Sequence, residues 1–272
     1  MINKKISVCV FLHHSTSDAL PYYIELYIDQ LSQHFDKIKV LTTNERLNTK
    51  KLHNHSEIEF IHFENKGYDF GMLYRYIISE KLDNIAQLGI VNDSNILFNR
   101  LNHIFHWGNK EDHDFWGVID SNEKLWFSSH DNNYHIQSHF LVLNENAIEK
   151  LPLFFDSLNA DIILNEKDIK KLRRLVIDQW EIGLTQFFVK EGLIPGSFIN
   201  SGKILNKHKL KRPNLTHSMF HELATAGYPL LKKKVALEKK SVLNVKRNNW
   251  EKTIHEFGNK NWDLNKMLDS IH

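Results

Sequence analysis

Asn65-Lys66-Gly67-Tyr68-Asp69-Phe70-Gly71 opens a segment with helical periodicity. About two dozen residues later, Ile90-Val91-Asn92-Asp93-Ser94 ends an apolar run that is typical of a buried strand. A glycine-bearing turn, a helix, a buried strand and an acidic residue at the strand's carboxyl end follow in that order. Nucleotide-binding α/β sheets present polar groups to their ligands in this way. The two stretches therefore predict such a sheet and favour sugar-nucleotide chemistry.

The rest of the first hundred residues repeats this alternation of strands and helices. Such alternation predicts a mostly parallel sheet that is covered by helices on both faces. The predicted strands lie at residues 6–12, 37–41, 58–63 and 85–91, with a helix at 20–33 between the first two.

The later part of the chain is less regular. We predict strands at residues 114–118 and 135–143 and helices at 147–158, 166–174 and 178–190, and Gly192 and Pro195-Gly196 mark the end of the last helix. Trp250, Ile254 and Phe257 recur at helical spacing. We expect one α/β domain over residues 1–235 and a C-terminal helical extension over residues 236–272.

Composition limits the class of protein. The chain has 272 residues, of which 42% are hydrophobic and 25% are charged, as in ordinary globular proteins. A net charge of +2 argues against a nucleic-acid partner. Cys9 is the sole cysteine and cannot form an internal disulfide, which fits a reducing compartment. The first apolar run is too short for a signal peptide, so we expect a cytoplasmic protein.

Asp93 is the candidate metal ligand. Mg²⁺ and Mn²⁺ prefer oxygen ligands, which they share with substrate phosphates. Asn92-Asp93-Ser94 offers one carboxylate, one amide and one hydroxyl at the end of a strand. The same three residue types favour turns after strands, so a plain turn is the alternative interpretation.

The upstream glycines support a binding site. Gly67 and Gly71 allow backbone conformations and close approaches that a β-carbon would hinder. Asp69, between them, can accept hydrogen bonds from a nucleoside. A plain helix-entry turn would also use these residue types. The segment is not a P-loop, since no Gly-Lys-Ser/Thr follows it.

Glu181 is the candidate general base. Removing a proton from a sugar hydroxyl requires a carboxylate near the acceptor, tuned by partial burial. Trp180 and Ile182 flank Glu181 and can provide that burial. The alternative is an exposed carboxylate on a helix.

Histidines are numerous, but their spacing predicts no zinc site. The 17 histidines include no His-Glu-x-x-His motif, and a single cysteine excludes cysteine-rich zinc sites. We interpret most of them as surface residues or hydrogen-bonded core residues.

Several segments, in order, resemble the rhamnan synthesis protein F family, glycosyltransferase-like proteins of bacterial cell-surface polysaccharide assembly. The resemblance covers most of the chain up to about residue 234. It rests on Asn65-x-Gly67-x-Asp69-x-Gly71, Val91-Asn92-Asp93-Ser94, Asp114-Phe115-Trp116-Gly117, Tyr134-His135-Ile136-Gln137-Ser138-His139-Phe140-Leu141-Val142, Trp180-Glu181-Ile182-Gly183-Leu184, Asn214-x-Thr216-His217 and Gly227-Tyr228-Pro229-Leu230-Leu231-Lys232.

The resemblance implies a GT-A-like fold and transfer of a deoxysugar, such as rhamnose, from a dTDP donor to a lipid-linked or growing glycan. It implies that Asp93 lies at the diphosphate–metal position and Asp69 near the nucleoside. It further implies that Glu181 is the base of an inverting displacement. His135, Gln137 and Ser138 would line the donor or acceptor pocket, and His217 would be a late ligand or a phosphate contact.

Basic clusters in the last third suggest a second surface. The lysines of residues 232–234 and 239–240 are expected to dock on an anionic inner leaflet, with the Trp250–Phe257 stripe in the interface. The alternative is a solvated basic face and a helix packed on the domain, and for the aromatic stripe we favour the packed helix. Two other functions stay open: a non-catalytic glycan- or partner-binding protein, and a His-dependent metal hydrolase.

Overall fold

The computed structural model describes residues 4–49, 52, 56–209, 214–237 and 250–271. Its strands are β1 (Ile6–His13), β2 (Lys37–Thr42), β3 (Ile58–His62), β4 (Ile85–Asn92), β5 (Asn95–Leu97), β6 (Phe115–Ser121), β7 (His135–Ile136), β8 (Phe140–Asn144), β9 (Pro195–Ile199) and β10 (Leu230–Lys232). Its helices are α1 (Tyr22–Ser32), α2 (Tyr68–Ser79), α3 (Asn102–Lys110), α4 (Glu145–Ser157), α5 (Ala160–Leu164), α6 (Ile169–Leu175), a π-helix (Val176–Ile182), α7 (Gly183–Lys190), α8 (Ser201–His208), α9 (Leu215–Ser218), α10 (Phe220–Thr225), α11 (Lys233–Leu237), α12 (Trp250–Phe257) and α13 (Leu264–Asp269).

Eight strands form one mixed sheet in the order β3-β2-β1-β4-β8-β6-β7, and β9 pairs with β6. Pairing is parallel from β3 to β4 and between β6 and β9. It is antiparallel where β8 lies between β4 and β6. The predicted mostly parallel α/β sheet flanked by helices is confirmed. Because β1, β4 and β6 run in the same direction, their carboxyl ends meet at one edge of the sheet.

Apolar cores cover both faces of the sheet. Successive side chains of a strand point to opposite faces, and in β1 Cys9 and Phe11 join one buried cluster while Val8, Val10 and Leu12 join the other. Helix α1 packs on the first face, and helices α2, α4 and α7 pack on the second. This two-sided burial explains why the strands read as continuous apolar runs.

Three local predictions were wrong in detail. The strand predicted over residues 135–143 is two strands, β7 and β8, since the Gln137 amide bonds back to Ile119 and the chain turns before Phe140. The helix predicted over residues 178–190 is a π-helix followed by α7. Pro195-Gly196 does not simply end a helix but begins β9, and a proline is tolerated as the first residue of a strand.

The C-terminal helices pack on the domain. Ile254 is fully buried in the same apolar cluster as α1, and Trp250 and Phe257 pack partly buried against it. The aromatic stripe is therefore a packing face in the structure. Lys239 and Lys240 of the basic clusters lie outside the described residues, and the domain boundary after residue 235 stays a prediction. Within the described part of the chain, every helix is too short or too polar to cross a bilayer.

Candidate active site

A cavity of about 560 Å³ lies at the edge of the sheet where β1, β4 and β6 end. The start of α2, the π-helix, the β6–β7 loop and β10 complete its wall. Seven residues singled out from the sequence line this one cavity: Asp69, Asn92, His135, Gln137, Ser138, Glu181 and His217. Residues from the whole length of the chain thus meet where α/β sheets bind ligands.

Asn92 links the two sequence stretches at the cavity. Its side-chain Oδ1 accepts hydrogen bonds from the Ser94 amide (3.1 Å) and hydroxyl (2.5 Å), which is the geometry of a turn. That arrangement directs the Asn92 Nδ2 group towards Asp69, to whose Oδ2 it donates at 2.9 Å. The turn interpretation and the binding interpretation of this triplet are therefore both compatible with the structure.

Asp69 has a pKa that lies near neutrality. Burial raises its pKa to about 7, and the negative charges of Asp93 and Glu181 act in the same direction. Lys232 and the Asn92 amide oppose the shift. Asp69 can therefore be a neutral hydrogen-bond donor below pH 7 and a charged acceptor above it.

Asp93 is not among the residues that line the cavity, and the chain itself supplies partners for its Oδ2 atom. Its Oδ2 atom is 2.9 Å from His13 Nδ1, accepts from the His14 amide at 3.3 Å, and is 3.8 Å from Lys233 Nζ. The Asp93 amide in turn donates to Leu12. These contacts tie the ends of β1 and β4 together.

The predicted cation at Asp93 would find few protein ligands. Among the described residues, no three His, Cys, Asp or Glu side chains group as metal ligands. Mg²⁺ is nevertheless commonly held by one or two carboxylates together with substrate phosphates. Asp93 Oδ1, which has no partner among the described residues, fits that mode of binding. A cation at Asp93 stays a prediction.

Glu181 lies on the π-helix and lines the cavity. A π-helix closes i→i+5 hydrogen bonds, as between Gly183 N–H and Asp178 O, and such turns are frequent at functional sites. Trp180 anchors the segment, since it is 3% exposed and stacks on Phe155 at 5.7 Å between ring centroids. The predicted apolar flank of Glu181 is thus present, while Glu181 itself is only partly buried.

The opposite wall comes from β7 and the chain after it. His135 is buried, and its Nδ1 atom lies 2.8 Å from the Asn133 carbonyl oxygen. Gln137 and Ser138 lie in the turn between β7 and β8 that the sequence did not predict. His217 lies on α9 and reaches the same cavity.

The glycines of the first stretch shape the backbone rather than the cavity surface. Gly67 is the N-cap of α2 with φ of 77°, in the left-handed region. A β-carbon on Gly71 would lie 1.7 Å from the Lys66 carbonyl oxygen. Of the predicted binding residues that the structure describes, Asn65, Gly67, Gly71, Asp93 and Ser94 are not among those that line the cavity.

Among the lining residues that the sequence did not predict as site residues, three bring charge or backbone strain to the cavity. Lys232 and Arg173 bring positive charge into the cavity, and burial lowers the pKa of Lys232 while Glu181 and Asp69 oppose that shift. The sequence signal for Lys232 was the run of lysines, which we had interpreted as a membrane-docking surface. Tyr68, the third, has φ of 53°, which is unusual for a residue other than glycine.

Solved structures with a similar backbone have low sequence identity to this chain. 4-Diphosphocytidyl-2C-methyl-D-erythritol synthase from Anaerococcus prevotii is 10% identical, with a TM-score of 0.46 over 73% of this chain and 88% of that one. The galactosyltransferase LgtC, in complex with donor and acceptor sugar analogs, is 12% identical, with a TM-score of 0.42 over 64% and 70%. The glycosyltransferase GlyE of Streptococcus pneumoniae is 12% identical, with a TM-score of 0.41 over 93% and 63%.

Sequence comparison gives the family. No curated protein matches the chain. The family model of rhamnan synthesis protein F matches residues 8–257, which include every residue of the cavity wall. This match supports glycosyltransferase as the class of enzyme. The chain belongs to the rhamnan synthesis protein F family.

Proposed function

We propose that the protein transfers a sugar, such as rhamnose or another deoxysugar, from a nucleotide-diphosphate donor to a cell-surface polysaccharide or lipid-linked glycan. The observation that carries this proposal is the cavity at the sheet edge, where the Glu181 carboxylate and two cations, Lys232 and Arg173, share one wall. A base for the acceptor and positive charge for a leaving diphosphate are the two groups that such a transfer requires.

The proposed reaction is an in-line displacement with inversion. Glu181 accepts the proton of the acceptor hydroxyl as its oxygen attacks the anomeric carbon. The bond from that carbon to the donor phosphate breaks, and its electrons leave with the nucleoside diphosphate. Lys232 and Arg173 stabilise the negative charge that grows on the leaving oxygen.

The other cavity residues position the substrates. Asp69 and Asn92 contact the nucleoside side of the donor, and His217 contacts phosphate. His135, Gln137 and Ser138 line the sugar pocket. A divalent cation, Mg²⁺ or Mn²⁺, would be held by Asp93 together with the donor phosphates and would neutralise charge on the diphosphate. Asn65, Gly67, Gly71 and Ser94 support these groups through the backbone of their two turns.

A cytoplasmic location belongs to this proposal, because the single cysteine is free and buried, as in proteins of a reducing compartment. Docking at the inner membrane face would have to use lysines other than those that serve the site. Lys232 lines the cavity and Lys233 lies beside Asp93, whereas Lys234 is exposed.

A thermal-shift experiment tests the donor site. We expect one class among dTDP-, UDP-, GDP- and CMP-linked sugars to raise the melting temperature, in the presence or absence of Mn²⁺. Lys232→Met should reduce that shift, because it removes the cation from the cavity wall. Lys234→Met is the matched control and should leave the shift unchanged. Equal shifts in both variants would remove Lys232 from the donor site.

A transfer assay tests the base. Glu181→Gln should lower the rate by about 10²–10⁴-fold, the usual contribution of a general base, while the donor-induced thermal shift persists. Full activity in this variant would exclude Glu181 as the base. Donor binding without turnover in the wild-type protein would favour the non-catalytic alternative. Tightly bound zinc with no affinity for any nucleotide would favour the hydrolase.

A further inference from the structure

Trp126 is the most exposed large apolar side chain of the described residues. It lies in the loop between β6 and β7, and the residue is 80% exposed to solvent. Single exposed apolar residues are common on protein surfaces and carry no function by themselves. The surroundings of Trp126 distinguish it.

The indole ring is held in place from one side. The guanidinium carbon of Arg174 lies 4.6 Å from the ring centroid, within the range of a cation–π contact. The ring of Phe127 stands perpendicular to the indole at 5.6 Å between centroids. These contacts orient the ring, while its high exposure leaves the rest of its surface accessible.

The ring stands at the rim of the cavity. Its loop neighbours Glu123 and Leu125 line the cavity, and so does Arg173, which precedes the arginine beneath the ring. Arg173 and Arg174 lie in the last turn of α6, directly before the π-helix that carries Glu181. Trp126 therefore stands on the same wall as the proposed base.

The loop is tied to elements of the site on both sides of Trp126. Glu123 accepts a hydrogen bond from Asn214 Nδ2 at 3.3 Å. On the other side of Trp126, the Ser129 amide and hydroxyl donate to the Asp178 carboxylate of the π-helix at 2.8 and 2.7 Å. The Trp126 ring is thus fixed relative to the cavity. Because the ring is already ordered, less conformational entropy would be lost when a ligand binds to it.

We propose that Trp126 forms a subsite for a pyranose ring of the acceptor glycan, next to the unit that receives the transferred sugar. One face of a pyranose is a patch of C–H bonds with slight positive charge, and the face of an indole is negative, so the two faces attract when they stack. The ring offers one flat, uncharged surface of about the size of one sugar. This assignment of an acceptor subsite rests on the proposed function.

Binding of a neutral rhamnose trisaccharide, followed by NMR titration, tests the subsite. Trp126→Ala should weaken this binding about tenfold, equivalent to loss of about 1.4 kcal/mol. Trp126→Phe should keep it within about threefold, because a smaller aromatic face remains. Ile169→Ala, which removes another side chain that is 70% exposed, is the matched control. The donor-induced thermal shift should be unchanged in all three variants.

Unchanged trisaccharide affinity in Trp126→Ala would overturn the subsite, as would a wild-type protein that shows the donor shift but binds no trisaccharide. Failure of the proposed function looks different. In that case no nucleotide sugar would shift the melting temperature of the wild-type protein, whatever the trisaccharide does. Loss of trisaccharide binding in Trp126→Ala alone would then still support a sugar platform on this rim.

Discussion

The sheet has two halves that the chain builds in different ways. The parallel half consists of β3, β2, β1 and β4. These four strands follow one another closely along the first part of the chain and pair in parallel. In the mixed half, β8 runs backwards between β4 and β6, and β9 joins β6 after several intervening helices. The cavity lies where the two halves meet, so each half supplies one part of its wall.

The two halves limit amino-acid substitution in different ways. The parallel half brings its polar groups to the cavity through a closely packed turn, with Gly67 and Tyr68 both at positive φ and Gly71 against a carbonyl oxygen. The elements that connect or follow the strands of the mixed half use side chains and charge instead, namely Glu181 on the π-helix, Arg173 on α6 and Lys232 on β10, which pairs with β5 outside the main sheet. Backbone packing should therefore limit substitution in the first half, and charge balance should do so in the second.

The largest expected effect tests the packed turn. Gly71→Ala places a β-carbon 1.7 Å from a backbone oxygen, so the turn before α2 must move. We expect the free energy of unfolding in urea to fall by about 3 kcal/mol, the upper end of typical overpacking costs. Gly183→Ala in the mixed half is the control, since its nearest contact would be 3.4 Å away. It should change stability by at most about 1 kcal/mol. Equal losses in both variants would contradict the comparison.

The same two halves explain how far sequence reasoning reached. Apolar runs with helices between them predicted β1 to β4 within about a residue, because parallel strands buried on both faces have a simple pattern. The neighbours of β6 depend on contacts between distant residues, such as the Phe115–Pro195 register, and no local pattern reports those. For that reason the break after β7 and the strand β9 were missed.

The site residues, like the strands, could be predicted where a local pattern reports them and not where their position depends on contacts between distant residues. Asp69, Asn92 and Glu181 were predicted because their residue types and their places in the strand order indicate chemistry. For Lys232 the lysine run predicted a membrane-docking or solvated basic surface, because no local pattern reports the pairing of β10 with β5 that accompanies its position in the cavity wall. The π-helix was also missed, because helical periodicity alone does not distinguish it from an α-helix.

The next largest expected effect on stability comes from the charge of Asp69, which lies at the junction of the two halves. The folded-state pKa of Asp69, about 7, lies above its ordinary value of 3.8, so the folded state retains the proton more tightly than the unfolded chain. The resulting stabilisation is complete below pH 4 and is lost as the pH rises to about 7. Asn is neutral at every pH. The difference between the two pKa values corresponds to about 4 kcal/mol, and solvent screening of the partly exposed carboxylate reduces this to about 2 kcal/mol. We therefore expect Asp69→Asn to match the wild type at pH 4 and to exceed its unfolding free energy by about 2 kcal/mol at pH 8.

Urea unfolding at a series of pH values measures this difference. Asp36→Asn is the control with the opposite sign, because hydrogen bonds from Ser7 lower the pKa of Asp36. Its stabilising contribution is present above pH 4 and is lost as the pH falls further. A constant difference between Asp69→Asn and the wild type over the whole range would show that Asp69 does not titrate near neutrality.

The smallest expected effect isolates backbone strain at the cavity wall. Tyr68 has φ of 53°, where a β-carbon clashes with the backbone but glycine does not. Tyr68→Gly should therefore be more stable than Tyr68→Ala by about 1 kcal/mol in urea unfolding. At Glu149, an exposed position inside α4, the order should reverse, with Ala more stable than Gly by about the same amount. The same order at both positions would show that the turn is not strained.

Strain of this kind persists where the surrounding structure imposes it, and it is frequent at binding sites. The donor-induced thermal shift separates the two explanations for Tyr68. If Tyr68→Gly relieves strain and also loses the shift, the tyrosine is kept at a cost for its contact with the ligand. If the shift is retained, the strain belongs to the packing of the turn, and the parallel half contacts the donor through other residues, such as Asp69 and Asn92.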